Sequence, residues 1–182
     1  MIGVKHPILS RERNAMTGNA TTMRVAAIEV SHWHALYDAA YLRHLVSMPD
    51  VALVAVQDSD AGLARKRAAE VGNPPVFTDY RQMLKEIKPD FVIALGRHRQ
   101  MARIAHDLID EGYPFLMEKP MGVDANEVQS IADKAAKRKA YIAVPLAQRY
   151  QPFAIRAREL LGAGLCGPIS HFYSRINRPG PA

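Results

Sequence analysis

One cysteine, Cys166, leaves no pair for an internal disulfide and fits a reducing compartment, so a cytoplasmic location is expected. No apolar run approaches the roughly 18 residues that cross a bilayer as a helix. The first 22 residues, with Lys5, Arg11, Glu12 and Arg13 among them, lack the apolar stretch of a secretory leader. No block of like charge exists either. The formal net charge of +6 is spread over interleaved acids and bases, and no nucleic-acid-binding motif accompanies it. Neither a nucleic acid nor a membrane is therefore expected as a partner, and the basic excess suits a small anionic ligand. Repeats and low-complexity segments are absent, and His32 and His34 have no third ligand at a metal-binding spacing, so no metal is expected.

What the chain does have is a regular alternation of short apolar runs with helical patterns. Strands are expected at 24–30, 51–56, 76–77, 91–95, 115–117 and 141–144. Helices are expected from a Ser31 cap to about Ser47, over Ala61–Val71 and Asp79–Ile87, from about Gln100 to Glu111, and from an Asp124 cap to about Lys139. Strands that are apolar throughout belong to a parallel sheet buried on both faces. Right-handed crossovers then favour the order 3-2-1-4-5-6. The expected fold is α/β: a doubly wound, Rossmann-like parallel sheet. Residues 1–22 read as a flexible tail, 23–147 as a dinucleotide-binding domain, and 148–182 as a crossover helix, Gln151–Leu161, leading into a truncated second α/β domain. The alternating run Pro168–Ile176 is its expected first strand. One strand makes no sheet, so the chain reads as a piece of a longer protein.

Five places can carry chemistry, all at the carboxyl ends of strands, where open α/β sheets bind ligands. The first turn, Glu29-Val30-Ser31-His32-Trp33-His34, lacks glycine at each position where a phosphate-binding loop has one; Ser31 and His32 are the donors left there. Asp58 closes the second strand, placed to accept from ribose hydroxyls or simply to form a turn. With Asp60 beside it a 2′-phosphate is disfavoured, which points to NAD over NADP. Gly96-Arg97-His98-Arg99 follows the fourth strand and is either an anion site or a solvated basic turn. After the fifth strand, Glu118-Lys119-Pro120 puts a lysine, partly out of water, beside a carboxylate, able to act as acid, base or hydrogen-bond donor. Gln148-Arg149-Tyr150 follows the sixth strand, where it lines a cleft or packs a linker.

With Glu118-Lys119-Pro120 after strand five and Gln148-Arg149-Tyr150 after strand six, the chain from Met23 to about Arg175 resembles the Gfo/Idh/MocA oxidoreductases. The resemblance implies a nicotinamide-binding domain that oxidises or reduces a hydroxyl or carbonyl of a small sugar- or cyclitol-like substrate. A missing C-terminal domain would complete the substrate pocket and make any homo-oligomer contacts. It implies Lys119 as the catalytic residue, with Glu118 before it, and Asp58 as the ribose-binding acid. The first turn and Gly96-Arg97-His98 depart from the family's pattern, so Ser31, His32, Gly96, Arg97, His98 and Arg149 join Asp58, Glu118 and Lys119 in the expected cofactor site from the reading of the residues alone. The chain alone is expected to be inactive. The glycine-free loop keeps a second reading open, a non-catalytic module on the same fold that senses a sugar or a nucleotide. A third is an interaction stub exposing the edge of the strand at 169–176.

Overall fold

The computed structural model describes residues 22–165 and 167–175. Six parallel strands form one sheet in the order β3-β2-β1-β4-β5-β6: β1 Met23–Ile28, β2 Val51–Gln57, β3 Val76–Phe77, β4 Phe91–Ala94, β5 Phe115–Met117 and β6 Ile142–Ala143. Strand alternation divides the core in two. Ala26, Ile28, Val92, Ala94, Phe115 and Met117 pack under α3 (Tyr80–Ile87), α4 (His98–Asp110) and α5 (Ala125–Arg138). Val25, Ala27, Ile93 and Leu95 face α1 (Tyr41–Ser47) and α2 (Ala61–Ala69), with Leu116 at the margin. The doubly wound fold expected from the apolar runs is the fold observed. Among the described residues no helix is long and apolar enough to cross a membrane.

Aspartates start three of the helices. Asp60, Asp79 and Asp124 each accept from backbone amides of their first turns. At α5 the arrangement is reciprocal: Asp124 Oδ1 accepts from Glu127 N at 2.9 Å, and Glu127 Oε2 accepts from Val123 N at 2.9 Å. Gly72 and Gly112, with φ of 90° and 77°, turn the chain after α2 and α4 in a conformation that glycine tolerates best.

The parallel ladder continues past the formal strand ends. Val30 N donates to Gln57 O, Asp58 N to Phe77 O, Leu95 N to Ile28 O and Glu118 N to Ala94 O, all within 3.2 Å. Four chemically interesting segments are thereby drawn up along one edge.

Three expectations are corrected. The helix expected from Ser31 to Ser47 is two pieces, a 3-10 turn at Trp33–Ala35 capped by the His32 side chain, and α1 from Tyr41. Asp38 and Ala40 stand at φ 54° and 46°, left-handed conformations that a right-handed helix cannot contain. The apolar spacing misled because Ala35, Leu36 and Leu42 are buried equally well by a turn followed by a short helix. Secondly, α4 begins at His98, so His98 and Arg99 belong to its first turn and not to a loop. Thirdly, residues 167–175 form no strand; Phe172 is 84% and Tyr173 78% exposed, and no neighbouring strand pairs with them among the described residues. Ile176 and the tail up to residue 21 lie outside the described residues. The helix α6, Pro152–Gly162, packs chiefly on the 3-10 turn Ala147–Tyr150 before it and buries none of its residues.

Because the α5 cap anchors the turn after Lys119, Asp124→Ala should cost about 1 kcal/mol. A fall in melting temperature of roughly 3 °C, followed by circular dichroism, is the expected result. An unchanged melt would mean that the cap contributes nothing.

Candidate functional site

The side chains at the carboxyl edge are aimed by the same alternation that builds the core. Leu116 faces the α1 side of the sheet, Met117 the other, and Glu118 the α1 side again. Tyr41, the first residue of α1, stands there, and its hydroxyl donates to Glu118 Oε2 at 2.6 Å. The other oxygen, Oε1, accepts from the backbone N–H of Lys119 at 3.0 Å. Glu118 is 1% exposed, so this carboxylate is spent on the protein and does not face solvent. His34 Nδ1 approaches the same Oε2 at 3.2 Å, an ion-pair distance but off the line of a hydrogen bond, while its Nε2 lies 3.2 Å from Asp38 Oδ2. Burial and the bond to Glu118 push the Tyr41 phenol well above its usual range.

Lys119 itself is exposed, a correction to the expectation that it lies partly out of water, and its ammonium makes no hydrogen bond or ion pair among the described residues. His32 shares its neighbourhood. Burial holds the His32 imidazole below its ordinary range; His34 lowers it further, Glu118 opposes, and the charges of His98 and Lys119 add to the lowering. The rings of His32 and His34 meet edge to face at 5.0 Å. His32, His34, His98, Glu118 and Lys119 thus form one electrostatic cluster.

Asp58 and Gln57 organise the other end. Asp58 is fully buried; its Oδ2 accepts from Ser31 N at 2.7 Å and its Oδ1 from Asp60 N at 3.0 Å. Gln57 faces the α3 side, where Nε2 donates to Thr78 O at 3.0 Å and Oε1 accepts from Glu29 N at 3.3 Å. Glu29, 4% exposed, makes the turn after β1 with φ 56°, the left-handed conformation that glycine would adopt without cost. Its side chain runs under the loop toward Gly96 and lines a cavity of about 210 Å³ with Gln57, Gln100 and Arg103. Glu29 Oε2 and Gln100 Oε1 are buried there without partners. Burial raises the Glu29 carboxyl above its usual range, the Asp58 charge raises it further, and the bond from Gln57 with the charges of Arg97 and Arg103 opposes.

The structure therefore brings Ser31 to Asp58, and sets His32 within electrostatic reach of His34, Glu118, His98 and Lys119. It buries Gly96 at the end of β4, where a Cβ would meet Met101 Sδ at 2.9 Å, and sets Arg97 beside Glu29. Arg149, exposed on the 3-10 turn after β6, has no side-chain bond to any of them. Sequence reasoning missed Tyr41, Gln57 and Gln100. A polar Gln at the buried end of an apolar strand was the one visible signal.

A dinucleotide along this edge finds part of its usual donor set. Arg97 and His98, exposed at the uncapped start of α4, and Lys119, exposed after β5, are the donors that fit. Asp58, expected to accept from ribose hydroxyls or to form a turn, does the second, because it is fully buried and both its oxygens accept from backbone amides. The phosphate loop fits less well. Ser31 N is bound to Asp58, His32 N to Glu29 O and His34 N to the His32 ring, which leaves Trp33 N free among the described residues.

The all-parallel sheet in the order β3-β2-β1-β4-β5-β6, covered by helices on both faces, defines a Rossmann fold. The family model for the oxidoreductase family Gfo/Idh/MocA, NAD-binding Rossmann fold, matches residues 26–145, more than half of the chain, and the chain belongs to that family. D-glucoside 3-dehydrogenase of Escherichia coli is 27% identical over 157 residues, covering 86% of this chain and 43% of the relative. The structure of myo-inositol 2-dehydrogenase from Lactobacillus plantarum superposes with a TM-score of 0.70 at 23% identity, over 81% of this chain and 43% of that one. Scyllo-inositol dehydrogenase from Lactobacillus casei, solved with NAD(H) and scyllo-inositol, gives 0.71 at 16% identity, over 80% and 42%. The chain spans less than half the length of these relatives.

The raised Glu29 carboxyl fixes the sign of a pH effect. A folded-state value above the unfolded one means stability that is complete below the unfolded value of 4.5 and is lost as pH rises through the folded value. Glu29→Gln removes this loss. In urea unfolding from about pH 4 to pH 8, the variant should gain on the parent as pH rises and then level off. Parallel profiles would show that Glu29 titrates normally.

Proposed function

We propose that this chain is the NAD-binding part of an oxidoreductase that interconverts a hydroxyl and a carbonyl on a sugar- or cyclitol-like small molecule, with Lys119 handling the hydroxyl proton. One observation supports this most strongly: a lysine at the carboxyl end of β5 whose ammonium is exposed and uncommitted, while its own peptide N–H is held by the buried Glu118 carboxylate. Such a lysine is presented to a ligand without being free to wander at its backbone.

Bound nicotinamide would supply the hydride acceptor or donor at carbon. Lys119 Nζ would take the proton from the substrate hydroxyl on oxidation, or return it on reduction. His32 stands within electrostatic reach of both His98 and Lys119, and would help set the electrostatics around the reacting oxygen. Asp58 would act at the ribose end by holding the Ser31 and Asp60 amides in place. With Asp58 and Asp60 together, NAD is favoured over NADP. Arg97 and His98 would meet the pyrophosphate, and Arg149 would border the cleft toward a second domain. The relatives named for a glucoside and for inositols support the substrate class. At 43% of the length of the first of them, this chain would not turn over alone.

The committed loop amides favour a second reading, a non-catalytic module that senses a nucleotide or a sugar. Calorimetric titration of the chain with NAD and NADH separates the two, with a Glu29→Gly, Ser31→Gly variant in parallel. Binding by the parent with a dissociation constant on the order of micromolar is expected for the oxidoreductase. Binding by the variant alone would favour the sensing module. In a longer form that includes the C-terminal domain, Lys119→Ala should lower kcat/KM by about 100-fold or more and leave NADH affinity nearly unchanged. An unchanged kcat/KM would remove Lys119 from the mechanism.

A further inference from the structure

We infer that Tyr41 is a positioning residue for Lys119 and acts through Glu118; the inference rests on the oxidoreductase function only in assigning Lys119 its chemistry. The two residues lie on different elements, α1 and the end of β5, and meet because strand alternation turns Glu118 to the α1 side. Three bonds hold the carboxylate and the peptide that follows it. Tyr41 Oη donates to Oε2 at 2.6 Å, Lys119 N donates to Oε1 at 3.0 Å, and Glu118 N donates to Ala94 O at 2.9 Å. A buried carboxylate that accepts on both oxygens cannot rotate without breaking a bond to each side.

Tyr41 therefore fixes the rotation of Glu118, and Glu118 fixes the Lys119 peptide from which the free side chain projects. His34 crowds the same Oε2 at 3.2 Å and is itself held by Asp38 at 3.2 Å, so the carboxylate has no open side toward α1. Of the groups nearby, Glu118 accepts from the Lys119 peptide N–H, and His32 lies within electrostatic reach of Lys119, with His34 against the far side of Glu118. Loss of the phenol hydroxyl frees Glu118 to turn, and the charge facing the lysine changes with it. Tyr41 and His34 both lie in the segment after β1, the segment over which a dinucleotide would pass. The lysine is thus referenced to the ligand-binding loop across β4 and not only to its own strand.

The test is a double-mutant cycle read at Lys119 itself. The 182-residue chain is acetylated with limiting acetic anhydride across a pH series, and labelling of Lys119 is measured by mass spectrometry against the exposed Lys88 and Lys139. Tyr41→Phe should change the Lys119 labelling rate by about threefold at fixed pH, with the reference lysines unchanged. In a Glu118→Ala background the same substitution should do nothing to Lys119, since the intermediary is gone. If Glu118→Ala does not fold, Glu118→Met serves, because it fills similar space and offers no oxygen to Tyr41 or to Lys119 N. A Tyr41→Phe profile that superimposes on the parent would overturn the inference. So would an equal shift with and without Glu118, which would mark Tyr41 as a packing residue only. The readout needs no cofactor, so failure of NADH to bind would strike the proposed function and leave this result standing.

Discussion

A parallel sheet covered by helices on both faces must end all its strands at one edge, and most of what matters in this chain follows from that. The ladder bonds that run beyond the strands, from Val30, Asp58, Leu95 and Glu118, carry the order of the core into the loops. Each residue just past a strand inherits its direction from the alternation beneath it. Asp58 and Glu118 fall on the α1 side, Gln57 on the α3 side, and the two networks at this edge are built around them.

The sheet was legible in the sequence because its signal is redundant. Six apolar runs, turn residues between them and aspartate caps all point to one solution, and Asp60, Asp79 and Asp124 do what short acids before apolar periodic stretches do. The lysine after β5 and the acid after β2 were legible for the same reason, since their places are set by where strands stop. The segment from Ser31 to Ala40 was not. Its apolar spacing is compatible with a continuous helix, and so are its i,i+4 contacts, the stacking of Trp33 on Tyr37 at 4.5 Å and the pairing of His34 with Asp38; nothing in the spacing marks Asp38 and Ala40 as the left-handed residues that break it. Tyr41 was invisible as a partner of Glu118 because that bond joins residues 77 positions apart. The run after α6 had the alternation of a strand but nothing to pair with, and alternation alone does not make one.

Glycine-free loops are not necessarily looser or tighter than glycine-rich ones; they distribute their bonds differently. Here Glu29 takes the left-handed backbone that a glycine would supply, at a cost of roughly 1 kcal/mol. Its buried side chain is bound through Gln57 to the end of β2. His32 and His34 fill space and bond to the loop itself. The result is a segment stabilised from within, where a glycine loop leaves its amides open to whatever arrives.

The amides of Ser31, His32 and His34 being already engaged has a thermodynamic side. An anion that settles on this loop does not fill vacant donors. It exchanges one set of hydrogen bonds for another, so the heat released is only the difference between the two sets. Apparent affinity is then lowered by the small fraction of time for which those amides are free. The loop behaves less like a socket than like a latch, whose own closed bonds are the first competitor that any phosphate must displace.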